Sequence, residues 1–254
     1  MMSSTELQAI YVMWLRQMKR YVRLKSRLVV TIVQPLLFLV ILGSGFRQFE
    51  IPGIDIDFIH FFAPGIITMA ILFSSMFTGI SVLWDKQFGF LQEVLVAPVS
   101  RFSIIIGRTL GGATIALIQG FIILMIAIVL GTPISGPLGI LFTIIFMILI
   151  AFTSVGFGLI LASKMNDFQS FPLIMNLVIM PLLFLSSAFF PVSNIPVLQT
   201  IAYFDPLFYM VDGLRGSLIG KANVLPPIIS MGVVLILCII TMSIGTYSFS
   251  KSEA

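Results

Sequence analysis

Charge is what this sequence has least of. Asp, Glu, Lys and Arg make up 9% of its 254 residues, against 59% hydrophobic. A soluble domain carries roughly a quarter charged residues, so a water-soluble fold is excluded and the chain reads as an integral membrane protein. Cysteine occurs once. Cys238 lies in an apolar run, so no intrachain disulfide framework exists and the thiol reads as a small buried apolar side chain. Histidine also occurs once, as His60, which rules out His-x-x-x-His zinc motifs; at the outer start of a span it reads as interfacial or satisfied. No Walker A sequence is present. The nearest stretch, Gly220-Lys221-Ala222, lacks the Ser/Thr and the earlier glycine. No Gly-x-Ser-x-Gly elbow occurs either. Asp205 and Asp212 stand at i, i+7, but the first belongs to an Asp-Pro turn, so they do not read as a catalytic pair. This chain is expected to bind neither cofactor nor metal. The first 27 residues carry charge throughout and lack a short apolar core with a small-residue cleavage site, so no cleavable signal peptide is expected.

What is present is long apolar runs. A helical span needs about 20 mostly apolar residues, and six stretches qualify: 28–46, 59–83, 103–130, 138–163, 171–190 and 227–249. They are continuous rather than alternating, which excludes a barrel. Six spans put both termini on one side. Arg16, Lys19, Arg20, Arg23, Lys25, Arg27, Lys86, Arg101, Arg108, Lys164 and Lys251 fall on that side, against only Arg47, Arg215 and Lys221 on the other. The positive-inside rule makes the basic side cytoplasmic. The net charge of +4 therefore reports topology, and no nucleic acid is expected as a partner. The expected fold is one all-α membrane domain over 1–254, with a cytoplasmic helix in 1–27 and a six-span bundle in 28–249.

Three polar or amphipathic segments stand out. In 84–101, Trp84, Phe88, Leu91 and Leu95 share a helical face, with Asp85, Lys86, Gln92 and Glu93 around it and Pro98 ending it. This is a short cytoplasmic docking helix. In the N-terminal tail, Leu7, Ile10, Tyr11, Trp14, Leu15, Met18, Tyr21 and Val22 form a stripe, with Arg16, Lys19, Arg20 and Arg23 on other faces and Ser3 and Glu6 as a capping box. Such a helix lies along the cytoplasmic membrane surface, or serves only to set orientation. In 191–225, two short apolar helices starting at prolines, 197–204 and 207–219, read as a re-entrant or interfacial hairpin on the outer side. Charge at depth is nearly missing, and Arg108 can snorkel to the cytoplasmic surface. Gln34, Gln119 and Asn176 are polar but neutral; each is helix-packing glue or a substrate contact. Gly107 with Gly111, and Gly216 with Gly220, permit close packing.

Two stretches resemble the ABC-2 type permeases. One is 84–112, with Trp84-Asp85-Lys86-Gln87-Phe88-Gly89-Phe90-Leu91-Gln92-Glu93 and Ala97-Pro98-Val99-Ser100-Arg101. The other is 176–216, with Pro181-Leu182-Leu183-Phe184-Leu185-Ser186-Ser187-Ala188-Phe189-Phe190-Pro191, Asp205-Pro206-Leu207 and Asp212-Gly213-Leu214-Arg215-Gly216. Drug-resistance and nodulation-factor export permeases look nearer than polysaccharide exporters. The resemblance implies a homodimeric permease in the plasma membrane, paired with two copies of an ATPase subunit that holds ATP and magnesium. It would export a hydrophobic or amphipathic substrate by alternating access. It also implies that Trp84, Asp85, Lys86, Phe88, Phe90, Leu91, Glu93, Pro98 and Arg101 form the ATPase-coupling interface. Phe88, Phe90 and Leu91 would fill an apolar groove while Asp85, Lys86 and Glu93 act as rim charges. Phe88 and Phe90 could instead dip into lipid. Trp14, Arg16, Lys19, Arg20 and Arg23 belong to the matching interface helix. The rival reading is a passive channel, or a membrane scaffold that recruits a cytoplasmic protein. An intramembrane enzyme fails for want of a nucleophile and base.

Overall fold

Prolines and glycines set where the helices bend, stop and touch. The computed structural model describes residues 4–46, 56–88, 99–165, 167, 169–192, 195–221 and 223–252, with backbone alone at 26–28, 86 and 250–252; among them no strand occurs. Helix α1 (Ser4–Arg23) leads into α2 (Lys25–Leu37). Pro35 lies inside α2, and the helix widens directly after it into a π-helical turn, Phe38–Leu42, before a last turn Gly43–Gly45. Proline removes one backbone donor and crowds the preceding turn, and the widened turn is a common response. Then come α3 (Phe58–Gln87), α4 (Arg101–Val129), α5 (Pro137–Lys164), α6 (Ser170–Leu185), α7 (Pro196–Ala202), α8 (Pro206–Leu218) and α9 (Pro227–Ser252).

Among the described residues four helices are long and apolar enough to cross a membrane, within α3, α4, α5 and α9. The other two apolar runs form shorter helices, Val29–Gly45 and Ser170–Leu185. The run expected to extend to Phe190 stops at Leu185, because Ser187 takes a left-handed φ of 63°, which an L-residue cannot propagate as helix.

Helix α3 is the strut of the bundle, packed by α4 and α5, with α9 outermost against α5. Its apolar window is 83% buried, against 17% for α9. Cys238, on α9, is accordingly half-buried rather than buried. Gly79 of α3 meets α5 so closely that a Cβ would stand 2.5 Å from the Gly158 carbonyl oxygen. In lipid, where apolar burial supplies no drive between helices, such close contact is what holds them.

The two ends of the bundle differ. At one end Arg16, Asp85, Arg108 and the Phe249 ring come together, so α1 and the end of α9 share it. The opposite end is closed by α7 and α8. As expected, both begin with proline at the first helical position. Asp205 caps α8, accepting from the Leu207 amide at 2.8 Å. Asp212 accepts from the amides of Val224 (2.7 Å) and Leu225 (2.9 Å), fixing the turn into α9. The two carboxylates thus have separate structural partners. Arg215, fully buried, donates to the Ser187 carbonyl at 2.6 Å and the Phe61 carbonyl at 3.2 Å, and its guanidinium lies 3.8 Å from the Phe61 ring centre. Gly220, with φ +74°, ends α8 and does not serve a helix–helix contact.

Candidate functional site

The basic end is organised by one carboxylate. Asp85 sits in the last turn of α3 and is 5% exposed. Arg16 of α1 grips both its oxygens at 3.0 Å. Arg108 of α4, fully buried, pairs with Oδ2 at 2.9 Å, and Arg20 lies 3.7 Å from Oδ1. Three helices are thereby tied at one point. Burial of the charges is tolerated because they are paired. Arg108 therefore does not snorkel: its guanidinium is held by Asp85 and lies 5.9 Å from the Phe249 ring centre. Asp85 faces α1 and α4 rather than standing out as a rim charge.

Helix α1 is seated by small residues opposite it. A Cβ on Gly107 would stand 2.7 Å from the Ile10 carbonyl oxygen, and one on Gly111 would stand 2.7 Å from Gln17 Cβ. The Gly107–Gly111 pair is the close-packing face that its spacing predicts. Around it, Trp14 Nε1 donates to Thr114 Oγ1 (3.2 Å), and Ser81 Oγ accepts from Arg20 (3.1 Å) and Gln17 (3.4 Å). The buried face of α1 is Met13, Gln17 and Tyr21, only partly the expected stripe. Leu7, Tyr11 and Val22 remain exposed, because the small residues of α4 take the face of α1 formed by Ile10, Met13, Trp14 and Gln17.

Trp84 and Asp85 belong to α3, which runs unbroken to Gln87, so no separate helix begins at Trp84. Phe88 follows, 66% exposed, with its ring 5.1 Å from that of Trp84; these two share a face at i, i+4 as expected. Arg101 is exposed at the start of α4, where Ser100 caps the Ser103 amide at 3.2 Å. Phe90, Leu91, Glu93, Pro98, Leu95, Ser3 and the Lys86 side chain lie outside the described residues. Lys19 and Arg23 line an 890 Å³ cavity between α1 and α3.

Sequence reasoning singled out Gln34, Gln119 and Asn176 separately. All three line one cavity of 240 Å³ among α2, α3, α4 and α6. Gln119 donates to Tyr21 Oη (2.9 Å) and Thr31 Oγ1 (2.7 Å), so it joins α4 to α1 and α2. Its own Oε1, and Ser74 Oγ beside it, are buried with no hydrogen-bond partner among the described residues. A second cavity, of 340 Å³, shares Gln34, Met69 and Met180 with the first and is otherwise walled mainly by phenylalanine. Among the described residues no three His, Cys, Asp or Glu side chains group as metal ligands.

The chain is 31% identical over 204 residues to a chain named as a transport permease, ycf38, of Cyanophora paradoxa, covering 77% of this chain and 70% of that one. It is 29% identical over 161 residues to a chain named as a multidrug ABC transporter permease, YbhR, of Escherichia coli, covering 62% and 43%. It is 25% identical over 236 residues to the inner membrane transport permease YadH of the same organism, covering 90% and 89%. The family model of the ABC-2 type transporter matches residues 8–219. The chain belongs to that family, as the membrane subunit of a transporter whose partner is an ABC ATPase.

Proposed function

We propose that this chain is the permease of an ATP-driven exporter in the plasma membrane. Two copies work with two copies of the ATPase subunit, which binds ATP and magnesium. The short apolar helices 29–45 and 170–185 complete six spans, both termini are cytoplasmic, and α7 and α8 form a re-entrant hairpin in the outer leaflet. The observation that carries the reading is the grip of Arg16, Arg20 and Arg108 on Asp85. It lies at the root of the 84–101 segment, where the ATPase would push. Force applied at Phe88, Phe90 and Leu91 would reach α1, α3 and α4 together, since one buried carboxylate joins them. The bundle would then switch between inward- and outward-open states.

The cargo is hydrophobic or amphipathic. The cavity at Gln34, Gln119 and Asn176 has no charged lining residue, and its spare acceptor and hydroxyl suit an uncharged hydrogen-bonding group. The test is co-expression with an ABC ATPase encoded beside this gene, purification through a tag on this chain, and ATP hydrolysis across amphipathic drugs, lipids and lipid-linked sugars. Co-purification with compound-stimulated hydrolysis is expected. Replacing Phe88 and Leu91 together by Asp should abolish co-purification while the chain still inserts. A well-folded chain that comes out alone and silent would favour the passive channel or scaffold instead.

A further inference from the structure

The 890 Å³ cavity between α1 and α3 has two unlike walls. One carries Arg16, Lys19, Arg20 and Arg23; the other is apolar, with Phe77, Ile80 and Trp84. No carboxylate lines it among the described residues. The Asp85 cluster holds three arginines to one aspartate, and no described carboxylate pairs with Lys19 or Arg23. The wall is therefore cationic in excess. Both surplus charges stand in the last turns of α1, where the helix dipole makes an added anion rather than an added cation unfavourable, so the cations must supply the attraction. Phe77 and Ile80 also wall the neutral cavity above, so the apolar side continues along α3 into the membrane interior. Leu7, Tyr11 and Val22 of the same helix are exposed and apolar, a face suited to a membrane surface.

We infer that this cavity is a binding site for an acidic phospholipid. Its phosphate sits on Lys19 and Arg23, and one acyl chain lies along α3 against Phe77 and Ile80. An acidic protein surface would satisfy the cations and leave the apolar back wall uncovered; an amphiphile matches both walls. Each Lys or Arg near a phosphate surface contributes roughly fivefold in binding. Two of them give a preference for acidic over zwitterionic lipid of about 25-fold.

The test uses the full chain in nanodiscs of equal phosphatidylcholine and phosphatidylglycerol, released gently and weighed by native mass spectrometry. The expected result is retained phosphatidylglycerol in strong excess, with the excess lost in Lys19→Gln/Arg23→Gln. Ile80→Trp, which adds no charge but fills the chain's path, should also lose the retained lipid. Glycerol phosphate should fail to displace it where short-chain phosphatidylglycerol succeeds. No preference in the wild type, an unchanged ratio in the double variant, or equal displacement by glycerol phosphate would each overturn the inference. No ATPase is present in the assay, so its outcome is independent of the transport reading.

Discussion

Replacing Asp85 by Asn keeps the side chain's shape and removes its charge, leaving three arginines around a neutral amide. The contributions differ with exposure. Arg16 and Arg20 have side chains 30% and 33% exposed, so water screens them and each pair is worth at most about 1 kcal/mol. Arg108 is 1% exposed as a side chain and has no such screening. Breaking a buried pair by removing one partner costs about 3–5 kcal/mol, because the survivor stays charged and desolvated. The Arg108 pair therefore dominates. Asp85→Asn should destabilise the permease by about 3–5 kcal/mol, and Arg16→Gln by about 1 kcal/mol or less. Asp85→Asn/Arg108→Gln should recover most of the loss, since no buried charge is then left over. Reversible unfolding in mixed micelles, followed by tryptophan fluorescence, measures all four proteins. An Asp85→Asn variant within about 1 kcal/mol of wild type, or a double variant no better than the single one, would refute the argument that burial sets the magnitude.

Three further outcomes follow from the same structure. Gly107→Val puts a branched side chain against the Ile10 carbonyl, and overpacking of this kind costs about 1–3 kcal/mol; thermal unfolding should show the loss, whereas Gly136→Val, placed where the added Cβ meets nothing, tests strain at a positive φ without helix contact. Gln119→Leu removes bonds to Tyr21 and Thr31 and should cost about 1–2 kcal/mol, with loosened α1 seen as faster proteolysis near the N-terminus. Burial pushes the Asp205 carboxyl up to about 7 from 3.8, against the pull of the Leu207 amide. The folded state binds that proton more tightly, so this group's stabilisation is complete below about pH 4 and is lost as pH rises through 7. Asp205→Asn keeps an oxygen for the Leu207 amide and should flatten that part of the melting-temperature profile; parallel profiles would count against it.

Local features of the chain were legible and distant pairings were not. The Pro206 start of α8, the Gly107–Gly111 face and the amphipathic α1 all rest on residues within a few turns of each other, where spacing carries the information. The end of α6 was missed because nothing local in Ser186-Ser187 announces a left-handed residue. Arg215 from 28 residues away binds its carbonyl. Asp85 was misread for a similar reason. Its neighbours Lys86 and Gln87 suggest a solvated turn, while its partners lie 69 residues away at Arg16 and on the neighbouring helix α4 at Arg108. The three neutral polar residues were found one by one, but that they share a cavity depends on how α2, α4 and α6 pack.

The widened turn after Pro35 has a rotational consequence. Gln34, Phe38, Leu42 and Phe46 all line the phenylalanine-walled cavity, and they recur at every fourth position. In an uninterrupted α-helix each such step drifts by about 40°, so three steps would wind the row about 120° around the helix. The π-helical turn at Phe38–Leu42 takes some of that rotation back and keeps the row on one side. A single-residue deletion between Phe38 and Leu42 would restore ordinary winding and put Leu42 and Phe46 seven and eleven residues after Gln34, each within about 20° of its direction. The widened turn thus absorbs one extra residue in the first apolar run, and a relative one residue shorter there would present the same cavity wall from an ordinary α-helix.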